Sequence, residues 1–227
     1  MQTKELTISG KRCYLYEQKE AASVLIQPVD EHDLEILNQE IDAIRALTSH
    51  PFNLIAFEIE DWQRELTPWS APAAFGKIPF GDGAKDTLFF LTDKLLPYLK
   101  ESGFYSPEQM QLLLGGYSLA GLFALWSAYN TGLFCGIAAV SPSVWFPGWI
   151  TYASSNTPNA QLIYLSLGDK EERTKNRMMA QVGDAIRKQY TLLEEQGHHT
   201  VLEWNPGNHF VDSAKRMAKG FAWLINH

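Results

Sequence analysis

Cysteine is nearly missing from this chain, and that scarcity excludes a whole way of holding a fold together. The 227 residues include two cysteines, Cys13 and Cys135, too few and too far apart for a disulfide framework. Both lie among hydrophobic residues and are expected to be buried thiols. Cations are also scarce, 19 against 26 acids, which leaves a formal charge of −7. Nucleic acids and anionic membranes attract clustered Lys and Arg, so neither is expected as a partner. No apolar run approaches the ~20 residues of a membrane-spanning helix. The opening MQTKELTISG has no apolar signal core, so a cytoplasmic location is expected. No His or Cys spacing suits a metal, and GDGAK at 81–85 lacks the spacing of a phosphate loop. No cofactor is expected.

What the chain does have is apolar mass: it is 45% hydrophobic and 12% aromatic. At this length such a chain can bury about 70 to 75% of its unfolded surface in one core, and one domain over residues 1–227 is expected. Residues 4–17 alternate apolar and polar around Ser9-Gly10, a hairpin signal. SVLIQPV at 23–29 is continuous enough for a central strand, with Pro28 at its end because proline has no N–H for a ladder. Leu34, Leu37, Ile41, Ile44 and Leu47 recur at helical spacing behind Asp33, which predicts an amphipathic helix.

FNLIAFEI at 52–59 predicts the next strand. The Pro-, Gly- and aromatic-rich stretch that follows, as far as residue 86, reads as a long functional loop. Residues 86–101 predict a helix interrupted by Pro97. Apolar strands are expected at 111–114, 135–140 and 161–167, then a charged helix over 173–196, a strand over 199–204 and a last helix from about Val211. Buried strands alternating with helices call for a mostly parallel sheet covered on both faces, with an N-terminal antiparallel hairpin. Right-handed crossovers then gather the loops after the strand C-termini along one edge.

Three of those loops carry chemistry, in the order serine, acid, histidine. In LLLGGYSLAGLFALW, Gly115 and Gly116 permit a tight turn between strand and helix, which lifts Ser118 to a helix N-terminus as a candidate nucleophile. The Leu119 N–H beside it can bind an oxyanion. GDKEE at 168–172 offers the acid: Glu171 has the reach expected of a loop carboxylate, while Asp169, shorter and nearer the strand, is the alternative and is suited to fixing the loop. Of six histidines, His209 stands between the last strand and last helix and is the candidate base, the side chain whose pKa suits the task. His198 and His199 precede that strand and are expected to be solvated helix-end residues. The order Ser, acid, His is that of an α/β-hydrolase. Ser141 and Ser143 lack the glycine turn of a nucleophile.

These segments together resemble the esterase family of α/β-hydrolases that includes esterase D and the enterochelin (siderophore) esterases. The resemblance spans about residues 22–215 and rests on FFLTDKLLPYLKESGFYS, GGYSLAGLFALWSAY, FCGIAAVSPSVWF, GDKEE and GNHF, with a further loop at Arg64 to Pro68. It implies Ser118 as nucleophile, Glu171 as acid, His209 as base, and an oxyanion hole from Leu119 N–H and an N–H of the loop after SVLIQPV, assigned to Glu31. The chain departs from the family in that loop, where Asp30-Glu31 replaces a common Asp-Gly, and at the elbow, where Ala120 precedes the glycine.

Trp62, Trp69, Phe75, Phe80, Trp145, Phe146 and Trp149 could either line an aromatic acyl pocket or form the loops' own core; Trp62, Trp69 and Trp145 are the substrate-binding candidates. Arg64 beside Glu60, Asp61 and Glu65 suits a structural ion pair better than an anion site. The expected function is hydrolysis of a small-molecule carboxylic ester through an acyl-enzyme. A noncatalytic binding protein of the same fold is the alternative, as is an acyltransferase or peptidase on the same three residues.

Overall fold

Five short, mostly apolar runs, at 23–29, 52–58, 111–117, 136–140 and 162–168, are buried almost throughout, and they form the centre of the sheet. The computed structural model describes residues 4–74 and 76–227. Among these, eight strands form one sheet: β1 (Lys4–Ile8), β2 (Lys11–Tyr16), β3 (Ser23–Val29), β4 (Phe52–Glu58), β5 (Gln111–Tyr117), β6 (Gly136–Val140), β7 (Leu162–Gly168) and β8 (His199–Asn205). Their spatial order is β1-β2-β4-β3-β5-β6-β7-β8. β1 and β2 form the expected hairpin and β2 runs antiparallel to β4, while every other pairing is parallel. The α/β-hydrolase architecture with its N-terminal antiparallel hairpin is therefore present. β3 and β5 pair only as far as Ile26 and Leu114, so Pro28 lies beyond that ladder, where a missing N–H costs little.

The two-residue period of the strands divides the core between two faces. Leu25, Leu54, Leu113, Ala138 and Tyr164 meet helices α1 (Glu31–Leu47) and α8 (Ser213–Asn226) through Leu37, Ile41, Ile44, Met217 and Phe221. Val24, Ile26, Ile55, Leu112, Leu114, Ile137 and Ile163 face the other way. That second face is covered by α3 (Ala84–Phe90), α4 (Leu96–Glu101), α5 (Leu119–Asn130), α6 (Trp149–Ser154) and α7 (Val182–Glu195).

Several boundaries differ from the sequence-based expectation, each for a physical reason. Helix α1 is capped by Asp30 rather than by Asp33 alone. The Asp30 side chain accepts from Asp33 N–H while the Asp33 side chain accepts from Asp30 N–H, a reciprocal capping box. Ahead of Pro97, the chain widens into a π turn at Leu91–Leu95 and resumes as α4; proline has no N–H and its ring displaces the carbonyl four residues back. The charged helix starts at Val182, nine residues later than expected, because Glu171–Arg173 and Met179–Gln181 are 3₁₀ turns and Asn176 Oδ1 accepts from Met178 and Met179 N–H. The final helix begins at Ser213, after Asp212 in the left-handed region at φ 54°.

The stretch after β4 is ordered rather than open: it holds a short helix, α2 (Trp62–Glu65), and the Ala71–Phe80 bridge. Within it, the buried Thr67 hydroxyl donates to Gln63 O at 2.7 Å. Phe75 lies outside the described residues. Cys13 is buried as expected, but Cys135 is exposed, since it stands just before β6 begins at Gly136. His198 is half-buried, not solvated. Its Nδ1 meets Ala160 O at 3.0 Å, and burial lowers its pKa.

The approach of α5 to β5 tolerates no side chain at Gly116, where an added Cβ would sit 2.4 Å from the Ala120 carbonyl carbon and oxygen. Gly116→Ala is expected to cost about 1–3 kcal/mol by overpacking. At roughly 2–4 °C per kcal/mol for a chain this size, differential scanning calorimetry should show Tm several degrees lower. Gly132→Ala, whose nearest new neighbour is 3.8 Å away, should leave Tm nearly unchanged.

Candidate active site

Ser118 stands at the junction of β5 and α5 with φ 60° and ψ −121°. Residues other than glycine avoid this conformation, and surrounding structure must hold it in place. Here Ser118 N–H donates to Val140 O at 3.1 Å, and Ser118 O accepts from Ser143 N–H at 3.0 Å and Leu122 N–H at 3.1 Å. The tight packing behind the turn comes from Gly116 and from Gly121, where an added Cβ would fall 2.9 Å from Gly116 O. Ala120 at the usual glycine position is thus accommodated, with the close contact made one residue later. The Leu119 N–H opens α5 and has no partner among the described residues.

Glu171 follows β7 and is 8% exposed. Its Oε1 accepts from Gly168 N–H at 2.7 Å, from Ser141 Oγ at 2.7 Å and from Arg216 Nη1 at 3.0 Å. Its Oε2 lies 2.7 Å from His209 Nδ1. Burial pushes the carboxyl pKa up, but the bonds from His209, Ser141 and Gly168 outweigh it and hold the group below its ordinary value. With Nδ1–H donating to the carboxylate, Nε2 is left as the acceptor. Asp169 does different work: its Oδ1 accepts from Gly207 N–H at 2.7 Å and so ties the β7 loop to the β8 loop.

The loop bearing His209 is held by residues that sequence reasoning did not single out. Tyr117 OH donates to His209 O at 2.6 Å. Arg216, 2% exposed, donates through Nη2 to Pro206 O at 2.9 Å and Asn208 O at 3.0 Å, and through Nη1 to Tyr117 OH at 3.2 Å as well as to Glu171. The available signal was a cation inside the apolar pattern of α8, where Ala214, Met217, Ala218 and Phe221 are buried.

Ser118 and His209 both line two hollows. One, of about 290 Å³, is bounded also by Ser141, Ser143, Trp145, Glu171, Arg173, Met179, Val182 and Phe210. The other, of about 200 Å³, is bounded by Asp30, His32, Asp33, Trp62, Tyr117, Phe210 and Ser213. The Ser118 hydroxyl lies 3.4 Å from Ser143 Oγ and makes no hydrogen bond to His209 among the described residues. A hollow of about 440 Å³ on the β1–β2 side, by Lys4, Leu15 and Ser102, contains none of these groups.

Of the expected substrate-binding residues, Trp62 and Trp145 line the hollows and Trp69 lines neither. Trp69 Nε1 donates to Pro147 O at 2.8 Å, and its ring packs on Phe146 and Tyr152. Phe80, Phe146 and Trp149 are buried in the core. Glu31 is the exposed first residue of α1; its side chain bounds neither hollow, and its N–H has no partner among the described residues. Arg64 has no ion pair among the described residues; its backbone closes on Gly81 and Gly83 instead. Among the described residues, no group of three or more His, Cys, Asp or Glu is placed to hold a metal ion, and no helix is long and apolar enough to cross a membrane.

A family model described as "Putative esterase" matches residues 36–210. The chain belongs to this esterase family. It is similar to an uncharacterized protein, YbbA, of Bacillus subtilis (strain 168), with 25% identity over 180 residues that cover 75% of this chain and 72% of that protein. Among solved structures, it resembles the siderophore hydrolase EstA from Aspergillus nidulans at TM-score 0.79 and 17% identity, covering 99% of this chain and 94% of EstA. It also resembles the enterobactin esterase FES from Shigella flexneri at TM-score 0.70 and 16% identity, covering all of this chain and 59% of that one. At these identities the structural likeness establishes the fold.

Glu171→Gln tests the energetics of the cluster. Removing one partner from a buried charged network is expected to cost about 3–5 kcal/mol near neutral pH. A carboxylate whose folded pKa is depressed contributes stability above its unfolded value, about 4.3, and loses it as pH falls through the folded value. The gap between the two proteins in urea unfolding should therefore be full above about pH 5 and shrink on acidification. A gap independent of pH down to 3 would contradict the assignment of the charge to Glu171.

Proposed function

We propose that this protein is a cofactor-free serine hydrolase that cleaves carboxylic esters of small molecules through an acyl-enzyme, and that residues 1–227 act as one domain. The observation that carries the reading is the 2.7 Å contact of Glu171 with His209 Nδ1 beside a serine held at φ 60° on a helix N-terminus. The names of the similar proteins, a siderophore hydrolase and an enterobactin esterase, and the family itself support ester hydrolysis.

In this mechanism a rotation about the Ser118 Cα–Cβ bond moves Oγ from Ser143 towards His209 Nε2. The imidazole takes the hydroxyl proton as Oγ attacks the ester carbonyl carbon. Glu171 keeps the proton on Nδ1 and stabilises the imidazolium. The tetrahedral oxyanion is met by Leu119 N–H at the positive end of α5. A second donor comes from the start of α1. The capping box uses the N–H groups of Asp30 and Asp33, leaving Glu31 N–H available. The imidazolium then protonates the departing alkoxide, the ester C–O bond breaks, and the acyl group stays on Ser118. His209 next removes a proton from water as its oxygen attacks the acyl carbon. The imidazolium then returns that proton to Ser118 Oγ as the acyl C–O bond breaks, which releases the acid and regenerates the serine hydroxyl and neutral imidazole.

A fluorophosphonate probe should label the folded protein at Ser118, and the label should disappear in Ser118→Ala. Turnover of 4-nitrophenyl acetate should fall by at least ~10³-fold in Ser118→Ala and in His209→Ala. An unlabelled Ser118 in folded protein, or unchanged turnover in either variant, would remove that residue from the mechanism.

A further inference from the structure

The two hollows that share Ser118 and His209 carry opposite charge. The larger is walled by Trp145, Met179, Val182 and Phe210, with Arg173 at its rim. Arg173 is exposed and takes no ion-pair partner among the described residues. Its neighbours offer no compensation: Glu171 is spent on Arg216 and His209, and Glu172 on Arg187 at 3.1 Å. Lys170, Lys175 and Arg177, on the same segment, are likewise exposed and without an ion pair among the described residues. A chain with seven more acids than cations thus places a net positive stretch beside its candidate active site, in which Asp169, bonded to Gly207 N–H, is the one carboxylate without a cation partner among the described residues. The smaller hollow presents the carboxylates of Asp30 and Asp33 next to Trp62. Phe210, 88% exposed, stands where the two meet.

Charge placed this way in a partly enclosed cleft selects ligands by sign. An anionic group is attracted to the Arg173 side and repelled by the Asp30 side, so the asymmetry fixes orientation as well as preference. The apolar wall formed by Trp145, Met179, Val182 and Phe210 suits a flat or branched hydrocarbon joining the anion to the ester. We propose that the preferred substrates are anionic esters, in which a carboxylate or a group of like charge is carried on an apolar or aryl body seated in the larger hollow and held by Arg173. This rests on the hydrolase reading for the chemistry, though not for the binding.

The test uses two matched ester pairs that differ only in charge. 4-Acetoxybenzoate against 4-acetoxybenzamide places the anion on the alcohol side. Mono-4-nitrophenyl glutarate against its carboxamide places it on the acyl side. Each kcat/KM is divided by the ester's hydroxide-catalysed rate, which removes intrinsic reactivity. In at least one pair the anionic member should be preferred, and the preference should weaken as salt rises from 0.05 to 0.5 M, about a threefold contraction of the screening length. Arg173→Ala should lower the anion-to-neutral ratio roughly 3- to 10-fold, the scale of a single exposed charge contact, and Arg173→Glu should lower it further. Lys100→Glu, an equal charge change on the surface of α4, should leave the ratio as it was.

A ratio unmoved by Arg173→Ala in both pairs, or moved as much by Lys100→Glu as by Arg173→Glu, overturns the proposal. Binding separates this outcome from failure of the hydrolase reading. In Ser118→Ala, calorimetric titration with uncleaved 4-acetamidobenzoate and 4-acetamidobenzamide should show the same preference, which adding Arg173→Ala should abolish. Absence of all ester turnover together with that binding preference overturns the hydrolase and leaves the anion site standing. Turnover without any charge preference does the reverse.

Discussion

The carboxylate of Glu171 is the point on which the candidate active edge of this structure depends. It is almost wholly removed from water, and burying an unpaired carboxylate would cost more than a marginally stable fold can absorb. The fold meets that cost by converging four donors on two oxygens: Gly168 at the end of β7, Ser141 at the end of β6, His209 in the loop after β8, and Arg216 on α8. Each donor comes from a different element. The same bonds that make the charge tolerable therefore also fix the ends of neighbouring strands relative to one another.

Ser118 is placed by a second constraint of the same kind. Its backbone conformation is unfavourable alone, yet it is over-determined by bonds to Val140, Ser143 and Leu122 and by the close contact of Gly121 with Gly116. Parallel pairing of β5, β6 and β7 brings the ends of these strands to one edge, so the strained turn and the buried acid become neighbours through sheet order. Tyr117 links the two systems directly. It immediately precedes Ser118, and its hydroxyl bonds to His209 O and receives from Arg216.

The parts of this arrangement that sequence revealed are those governed by local pattern. Apolar runs marked the strands, and the positions after β7 and β8 marked Glu171 and His209. Gly115-Gly116 pointed to the right place but not as a turn, since both glycines lie within β5, where they permit close approach, and the turn itself falls at Ser118. Contacts between distant residues left no such trace. Nothing in the local pattern assigns Arg216 to a carboxylate 45 positions away, or separates Trp69, spent on Pro147 and Tyr152, from Trp145, which lines a hollow. Aromatic composition is the same in both cases and only tertiary placement distinguishes them. The late start of α7 has a similar origin. The charged composition of 173–181 does not separate helix from turn, whereas drawing Glu171 into the core and capping through Asn176 favour 3₁₀ turns at Glu171–Arg173 and Met179–Gln181.

That late start has a consequence for the cleft itself. Had the helix begun at residue 173, its step of about 100° per residue would have sent Arg173, Thr174 and Met179 to different sides of the helix. As two short turns, the segment instead folds over the larger hollow, contributing Arg173, Thr174 and Met179 to its lining. The acid that anchors the imidazole and the residues that shape one side of the cleft thus belong to one continuous stretch, from Gly168 to Val182. Burying Glu171 commits the chain to a turn, and the turn delivers the rim. Position and charge at the cleft are in this sense set by the same carboxylate, which ties the shape of the hollow to the network beneath it.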